Sequence, residues 1–221
     1  MQLLTELLDV LRRLEDDRTT RVLVLSGTGE HFCQGGDRAE FVSMLKDDPS
    51  GGSLQAYGEK ALRVCEALER LKVLSIAQVH GDVIGAGIGL AVFCDLRVGS
   101  TEARFRMPEI ALGLPPAWGG ILDRLEAECG QAAVREALLT AAAFDAERAQ
   151  KMSILQKVVR RDELEDAVAE WVKPSARRNP FAMQMTKEML NARTHARRAS
   201  VGTHHEPTLL AWAYSRTRNL G

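Results

Sequence analysis

Residues 82–96 read DVIGAGIGLAVFCDL, with Gly85, Gly87 and Gly89 at every second position and an apolar run after them that opens a helix. The stretch is entered from VLSIAQVHG, which reads as a buried strand. A strand that runs through glycines into an apolar helix constrains the fold more than any other feature of the chain. Both elements need cover, so sheet and helix are expected to pack in layers around one core.

The rest of the sequence extends that pattern. MQLLTELLDVLRRLEDD reads as an amphipathic helix, RVLVLSG as a buried strand closed by Gly27, and residues 38–46 as a helix. KDDPSGGS is rich in turn formers and suits a mobile surface loop. A long helix is expected over about 54–71, and short strands at LRVGS and ARFRMPE. From Gly119 onward the pattern turns helical, with helices near 130–142, 145–151, 162–173, 179–192 and 207–217. Strands alternate with helices first and helices dominate later, so the fold class is α/β with a helical C-terminal portion. With 221 residues and 45% hydrophobic content the chain is long enough for one sizeable core and short for two.

Composition removes several function classes. The formal net charge is −1, without the basic excess that a nucleic-acid partner calls for. No apolar run approaches the roughly 20 residues that span a bilayer. The first residues lack the n-region and cleavage site of a signal peptide, and the expected location is cytoplasmic. Cys33, Cys65, Cys94 and Cys129 have no CxxC spacing and read as free thiols. The histidines are scattered. The adjacent pair His204 and His205 would point about 100° apart on a helix, so no structural metal is expected.

Two glycine-containing turns precede helices: CQGGD before Arg38 and IGAGIG before Leu90. The first amides of a helix have no intrahelical acceptor, and glycine lets a ligand approach the backbone. A phosphate cradle fits poorly, because the third glycine of GAGIG comes one residue early and no Gly-Lys-Ser/Thr follows. Two such turns converging would offer a pair of donors to one oxygen, an oxyanion hole for an enolate or tetrahedral intermediate. Tight turning alone is the other reading these glycines allow.

The ordered set HFCQGGD, VHGDVIGAGIGLAVFCDL, ARFRMPEIALGLPPAWGG and NPFAMQMTKEML resembles the crotonase (enoyl-CoA hydratase/isomerase) superfamily, from the first helix to about Leu190. The resemblance implies a crotonase-like spiral of ββα units around two sheets, with C-terminal helices, assembled as trimers or hexamers. It implies a spiral core over 1–173 and a C-terminal helical trimerisation region over 174–221. It implies an acyl thioester as substrate, delivered by coenzyme A or a carrier protein, with no covalently bound cofactor. Carried onto this sequence, the thioester oxygen would receive the N–H groups of Gly36 and Ala86, with Gln34, Gly35, Gly85, Pro116 and Trp118 lining the substrate. No nucleic-acid or membrane partner is implied.

Family hydratases use two glutamates, one on the helix after the glycine turn and one in a later PE. This chain keeps the second as Glu109 in MPE and has Gly89 at the position of the first. Glycine cannot hold or activate water, so a single acid/base is expected, favouring double-bond isomerisation over hydration. Decarboxylation or C–C bond chemistry through the same enolate is an alternative, and a non-catalytic thioester-binding partner in a biosynthetic complex is another. For Glu109 itself, a capping or salt-bridged role competes with catalysis.

Asp37 reads as a helix cap. Asp82 and His80 read as a turn, with a place in the pocket as the second reading. Trp118 divides evenly between acyl-pocket wall and core packing. Arg38, Arg104, Arg106, Lys187 and Arg193 are the basic candidates for the phosphates of a coenzyme, against simple surface solvation. Two departures from the family remain: no β-hairpin precedes the first helix, which would leave a sheet edge open, and the tail HHEPTLLAWAYSRTRNLG lacks an acidic pattern.

Overall fold

The computed structural model describes residues 2–201 and 205–217. Helix α1 (Gln2–Asp16) buries Leu4, Leu8 and Leu11, whose spacing of four and three places them on one stripe. Strands β1 (Val22–Ser26), β2 (Leu74–Val79), β4 (Leu96–Ser100) and β7 (Lys157–Val159) form a parallel sheet in the order β1-β2-β4-β7. Strand β2 lies inside that sheet and is covered on both faces, which is why its sequence is nearly continuous in small and apolar residues. Its buried Ser75 is satisfied by Asp95, which accepts from both the Ser75 amide and hydroxyl.

Helices α2 (Arg38–Asp47) and α3 (Gly52–Arg70) make the crossover from β1 to β2. Asp37 caps α2, its carboxylate accepting from the amides of Ala39 at 2.8 Å and Glu40 at 3.3 Å. The connection to α3 is a tight turn where the composition suggested a mobile loop. Asp48 organises it, accepting from the amide and hydroxyl of both Ser50 and Ser53. Those hydrogen bonds, led by the Ser50 hydroxyl, hold the Asp48 carboxyl below its ordinary value.

A second sheet contains β3 (Asp82–Ile84), β5 (Arg104–Arg106) and β6 (Phe144–Asp145), with β3 and β5 parallel and β6 antiparallel to β5. Helix α4 (Ala86–Val92) follows β3 and buries every residue from Gly87 to Val92, as a helix apolar on all sides must. Helices α5 (Ile121–Cys129), α6 (Gln131–Thr140), α7 (Ala146–Lys151), α8 (Leu164–Ser175), α9 (Pro180–Val201) and α10 (Glu206–Thr217) complete the fold. The expected α/β class and helical C-terminal portion are present. Helix α9 runs past the residue 192 expected from the sequence, and α10 packs back on α3.

Helix α4 is braced at its C-terminal end by two buried arginines. Arg97 of β4 donates to the carbonyls of Cys94 at 2.9 Å and Ile154 at 2.7 Å, and Arg124 of α5 donates to Val92 at 2.8 Å. Glu128 bridges the two guanidinium groups at 2.9 Å each. Positive charge at the carbonyl end complements the helix dipole and fixes where the opposite end of α4 points.

Candidate active site

Three backbone segments run side by side and leave the second sheet at the same end. Cys33 pairs in parallel with Val83 of β3, the Ile84 amide donating to the Cys33 carbonyl at 2.9 Å. Strand β3 pairs in parallel with β5 in the register Ile84↔Arg106, and the Gly85 amide donates to the Arg106 carbonyl at 2.9 Å. The residues just past each segment therefore meet: Gln34–Gly36 from the first, Gly85–Ala86 from the second, Pro108–Glu109 from the third. Ligand sites at the carboxyl ends of parallel strands follow from this geometry.

The turns demand their glycines. Gly35 has φ +91°, and a Cβ on it would come 3.0 Å from the Ile84 carbonyl oxygen and 3.9 Å from the Ala86 amide nitrogen. A Cβ on Gly36 would collide with the Phe41 ring. Among the described residues neither the Gly36 nor the Ala86 amide has a hydrogen-bond acceptor. Ala86 opens α4, where an amide has no intrahelical partner.

These residues line a cavity of about 300 Å³, walled by Phe41, Ile84, Leu112, Leu114, Pro115, Ala117, Trp118, Leu210 and Tyr214. Glu109 is the one carboxylate among its described lining residues. Its backbone is pinned by a 3₁₀ turn over Ile110–Leu112, where the Leu112 amide donates to the carbonyls of both Pro108 and Glu109 and the Leu114 amide donates to that of Glu109. Burial raises the Glu109 carboxyl above its usual 4.5, opposed only by its own amide. Oε2 is buried and makes no hydrogen bond among the described residues. A carboxyl desolvated in this way holds a proton more readily than an exposed one.

Gly89 lies one turn into α4, and its missing side chain is replaced by a neighbour. A Cβ there would stand 2.5 Å from Trp118 Cζ3, 2.8 Å from Cε3 and 3.3 Å from Ile121 Cδ1. Trp118 thus fills both roles the sequence left open, lining the cavity and packing against α4.

A sequence model described as Enoyl-CoA hydratase/isomerase matches residues 1–216. The chain belongs to the enoyl-CoA hydratase/isomerase family. It is 31% identical over 183 residues to a short-chain-enoyl-CoA hydratase of Clostridium acetobutylicum, covering 82% of this chain and 68% of that one. It is also 31% identical to a peroxisomal Delta(3,5)-Delta(2,4)-dienoyl-CoA isomerase of Arabidopsis thaliana, covering 81% and 67%. The crystal structure of an enoyl-CoA hydratase from Bacillus anthracis superposes with a TM-score of 0.79 at 26% identity, covering 96% of this chain and 79% of that one.

Of the residues that the family resemblance selects, Gln34, Gly35, Gly36, Gly85, Ala86, Glu109 and Trp118 line the one cavity. Pro116 is not among the lining residues, and the loop is represented there by Leu114, Pro115, Ala117 and Trp118. Asp82 and His80 lie outside the lining, and neither makes the turn expected of it. Asp82 opens β3 and accepts from the Gln34 side chain at 3.0 Å, while buried His80 contacts the Gly29 carbonyl at 3.0 Å. Arg38 and Arg106 reach the cavity rim. Arg104 faces a separate depression beside Phe144 and Arg148. Lys187 is buried against Asp95 at 2.6 Å and the Val73 carbonyl at 2.6 Å, which removes it from any phosphate. His204 and the side chain of Arg193 lie outside the described residues. No three potential metal ligands cluster among the described residues, and none of their helices is long and apolar enough to cross a membrane.

Sequence reasoning missed Phe41, Leu210 and Tyr214. Their rings and side chains come from α2 and α10, and the Phe41 centroid lies 5.3 Å from that of Tyr214. The apolar face of α10 was a signal that something beneath it required cover.

Proposed function

We propose that this family member isomerises the double bond of an enoyl thioester through an enolate, using Glu109 as its single acid/base. The observation that carries the reading is the pairing of one desolvated carboxyl with an aromatic ring where a second acid would stand.

The thioester oxygen of the substrate sits between the Gly36 and Ala86 amides, both free to donate. Glu109 takes a proton from C2 of a 3-enoyl thioester; the C2–H electrons move into the C1–C2 bond and the carbonyl π pair onto the thioester oxygen, giving a dienolate whose collapse shifts the C1–C2 pair into C2–C3 and the C3–C4 pair onto C4. Negative charge on that oxygen is what two fixed amides hold best, each contributing about 3 kcal/mol in the transition state. The proton returns from Glu109 to C4, and the product is the conjugated 2-enoyl thioester. No atom is gained or lost, and no water takes part. The apolar walls exclude water and keep the carboxyl and the enolate electrostatically strong.

Coenzyme A or a carrier protein presents the acyl group, with Arg38 and Arg106 at the rim available to its phosphates. We also propose residues 174–221 as the contact of a homotrimer or hexamer, supported by exposed Phe181, Met189, Leu190 and Trp212.

The test is to follow conversion of a 3-enoyl-CoA by the wild type and by Glu109→Gln. Turnover that falls at least a hundredfold in the variant supports the reading, and unchanged turnover removes Glu109 from the mechanism. Robust hydration of crotonyl-CoA by the wild type would replace isomerisation with hydration.

A further inference from the structure

Position 89 is fully enclosed, and what encloses it is the wall of the substrate cavity. The indole of Trp118 lies with Cζ3 and Cε3 over the Gly89 α-carbon, so any side chain at 89 would have to displace the ring. The ring in turn lines the cavity together with Ala86 and Glu109. It therefore stands between α4 and the substrate, and its carbon edge offers a water molecule nothing to bond. Its Nε1 is buried without a hydrogen-bond partner among the described residues. An unpaired indole N–H is unfavourable in a protein interior, and a phenylalanine or leucine would fill a purely structural site without that cost.

We propose that Trp118 determines reaction specificity: its indole takes the volume of a second acid and its water, confining the site to proton transfer by Glu109. The proposal rests on the isomerase reading above, and it assigns the loss of hydration to a loop residue as well as to Gly89. Restoring a carboxylate at 89 is then insufficient by itself, because the ring blocks it. Removing the ring alone opens space but supplies no acid. Hydration returns only when both changes are made together.

The experiment measures crotonyl-CoA hydration and 3-enoyl-CoA isomerisation for wild type, Gly89→Glu, Trp118→Ala and the double variant, with Tm for each. The expected result is a gain in hydration of about tenfold or more in the double variant over both single variants. Gly89→Glu with its ring intact is expected to melt lower and hydrate no faster than wild type. Hydration by Gly89→Glu alone equal to that of the double variant would overturn the proposal, as would a folded double variant with no gain. Should the double variant fail to fold, Gly89→Ala in the two backgrounds decides. A loss of Tm with Trp118 present that disappears in Trp118→Ala supports the steric coupling, and equal losses in both refute it. Absence of isomerisation in the wild type would refute the isomerase reading separately, since the hydration gain across the four proteins is read independently of it.

Discussion

The Glu109 carboxylate rests against the α-carbon of Gly85: a Cβ built there would lie 2.8 Å from Oε1. Gly85 also has φ +51°, in the left-handed half of backbone space. The residue that aims the Ala86 amide thereby leaves room for the acid. Gly85→Ala is expected to lose more than about 1 kcal/mol of stability from its backbone alone. It should also lose turnover through a displaced Glu109, with KM changed less than kcat. Urea titration and steady-state kinetics check the two effects separately.

The Ala86 amide is testable without touching a side chain. Ala86 is the first residue of α4, where proline is tolerated because its missing N–H had no helical partner. Gly85, at φ 51° and ψ −112°, is close to the mirror image of the extended conformation that proline prefers before it, which glycine alone adopts freely. Ala86→Pro should therefore fold with little loss of Tm while kcat falls roughly 10²–10³-fold, the usual effect of deleting one oxyanion donor. Full activity would reassign the thioester oxygen.

The proposed role of Glu109 carries a pH signature. Burial raises its carboxyl, so the base form appears only as pH climbs past the raised value, and kcat/KM should rise through an acid limb above the ordinary 4.5. Stability runs the other way. Its contribution is fully present below the unfolded-state value and is lost as pH rises through the folded one. Glu109→Gln should therefore gain on the wild type in urea midpoint as pH rises from the ordinary 4.5 through the raised folded-state value. A constant difference across that window would contradict the burial.

Glu128 holds Arg97, whose side chain is fully buried, and Arg124, which is 7% exposed, at 2.9 Å each. Glu128→Gln leaves two buried guanidinium groups without their shared carboxylate, and about 3 kcal/mol of stability should go with it. Because the same arginines cap α4, activity is expected to fall before the global melting transition. Activity and circular dichroism measured along one thermal ramp would show the separation.

Most of the frame was legible in the chain. The buried strand at Leu74–Val79 and the apolar α4 could be read because their hydrophobic runs leave no polar face, and Asp37 because a cap needs only its own neighbours. Strands β3, β6 and β7 escaped, being three, two and three residues long, too short for a period to show. The burial of Lys187 escaped because a lysine declares nothing about a distant Asp95. The cavity residues found by family resemblance were those fixed by backbone turns. Those missed, Phe41, Leu210 and Tyr214, reach the cavity only through the docking of whole helices. The contact of Trp118 with Gly89 depends on where a loop lays its ring, which no spacing encodes.

That contact also imposes an order on descent. A side chain gained at 89 meets the indole, and a ring lost at 118 leaves a hollow beside the substrate. Each step is unfavourable alone and tolerable only after the other. With glycine at 89 and tryptophan at 118, any route to a side chain at 89 crosses a valley. The position that looks vacant in this sequence is closed by a neighbour's ring.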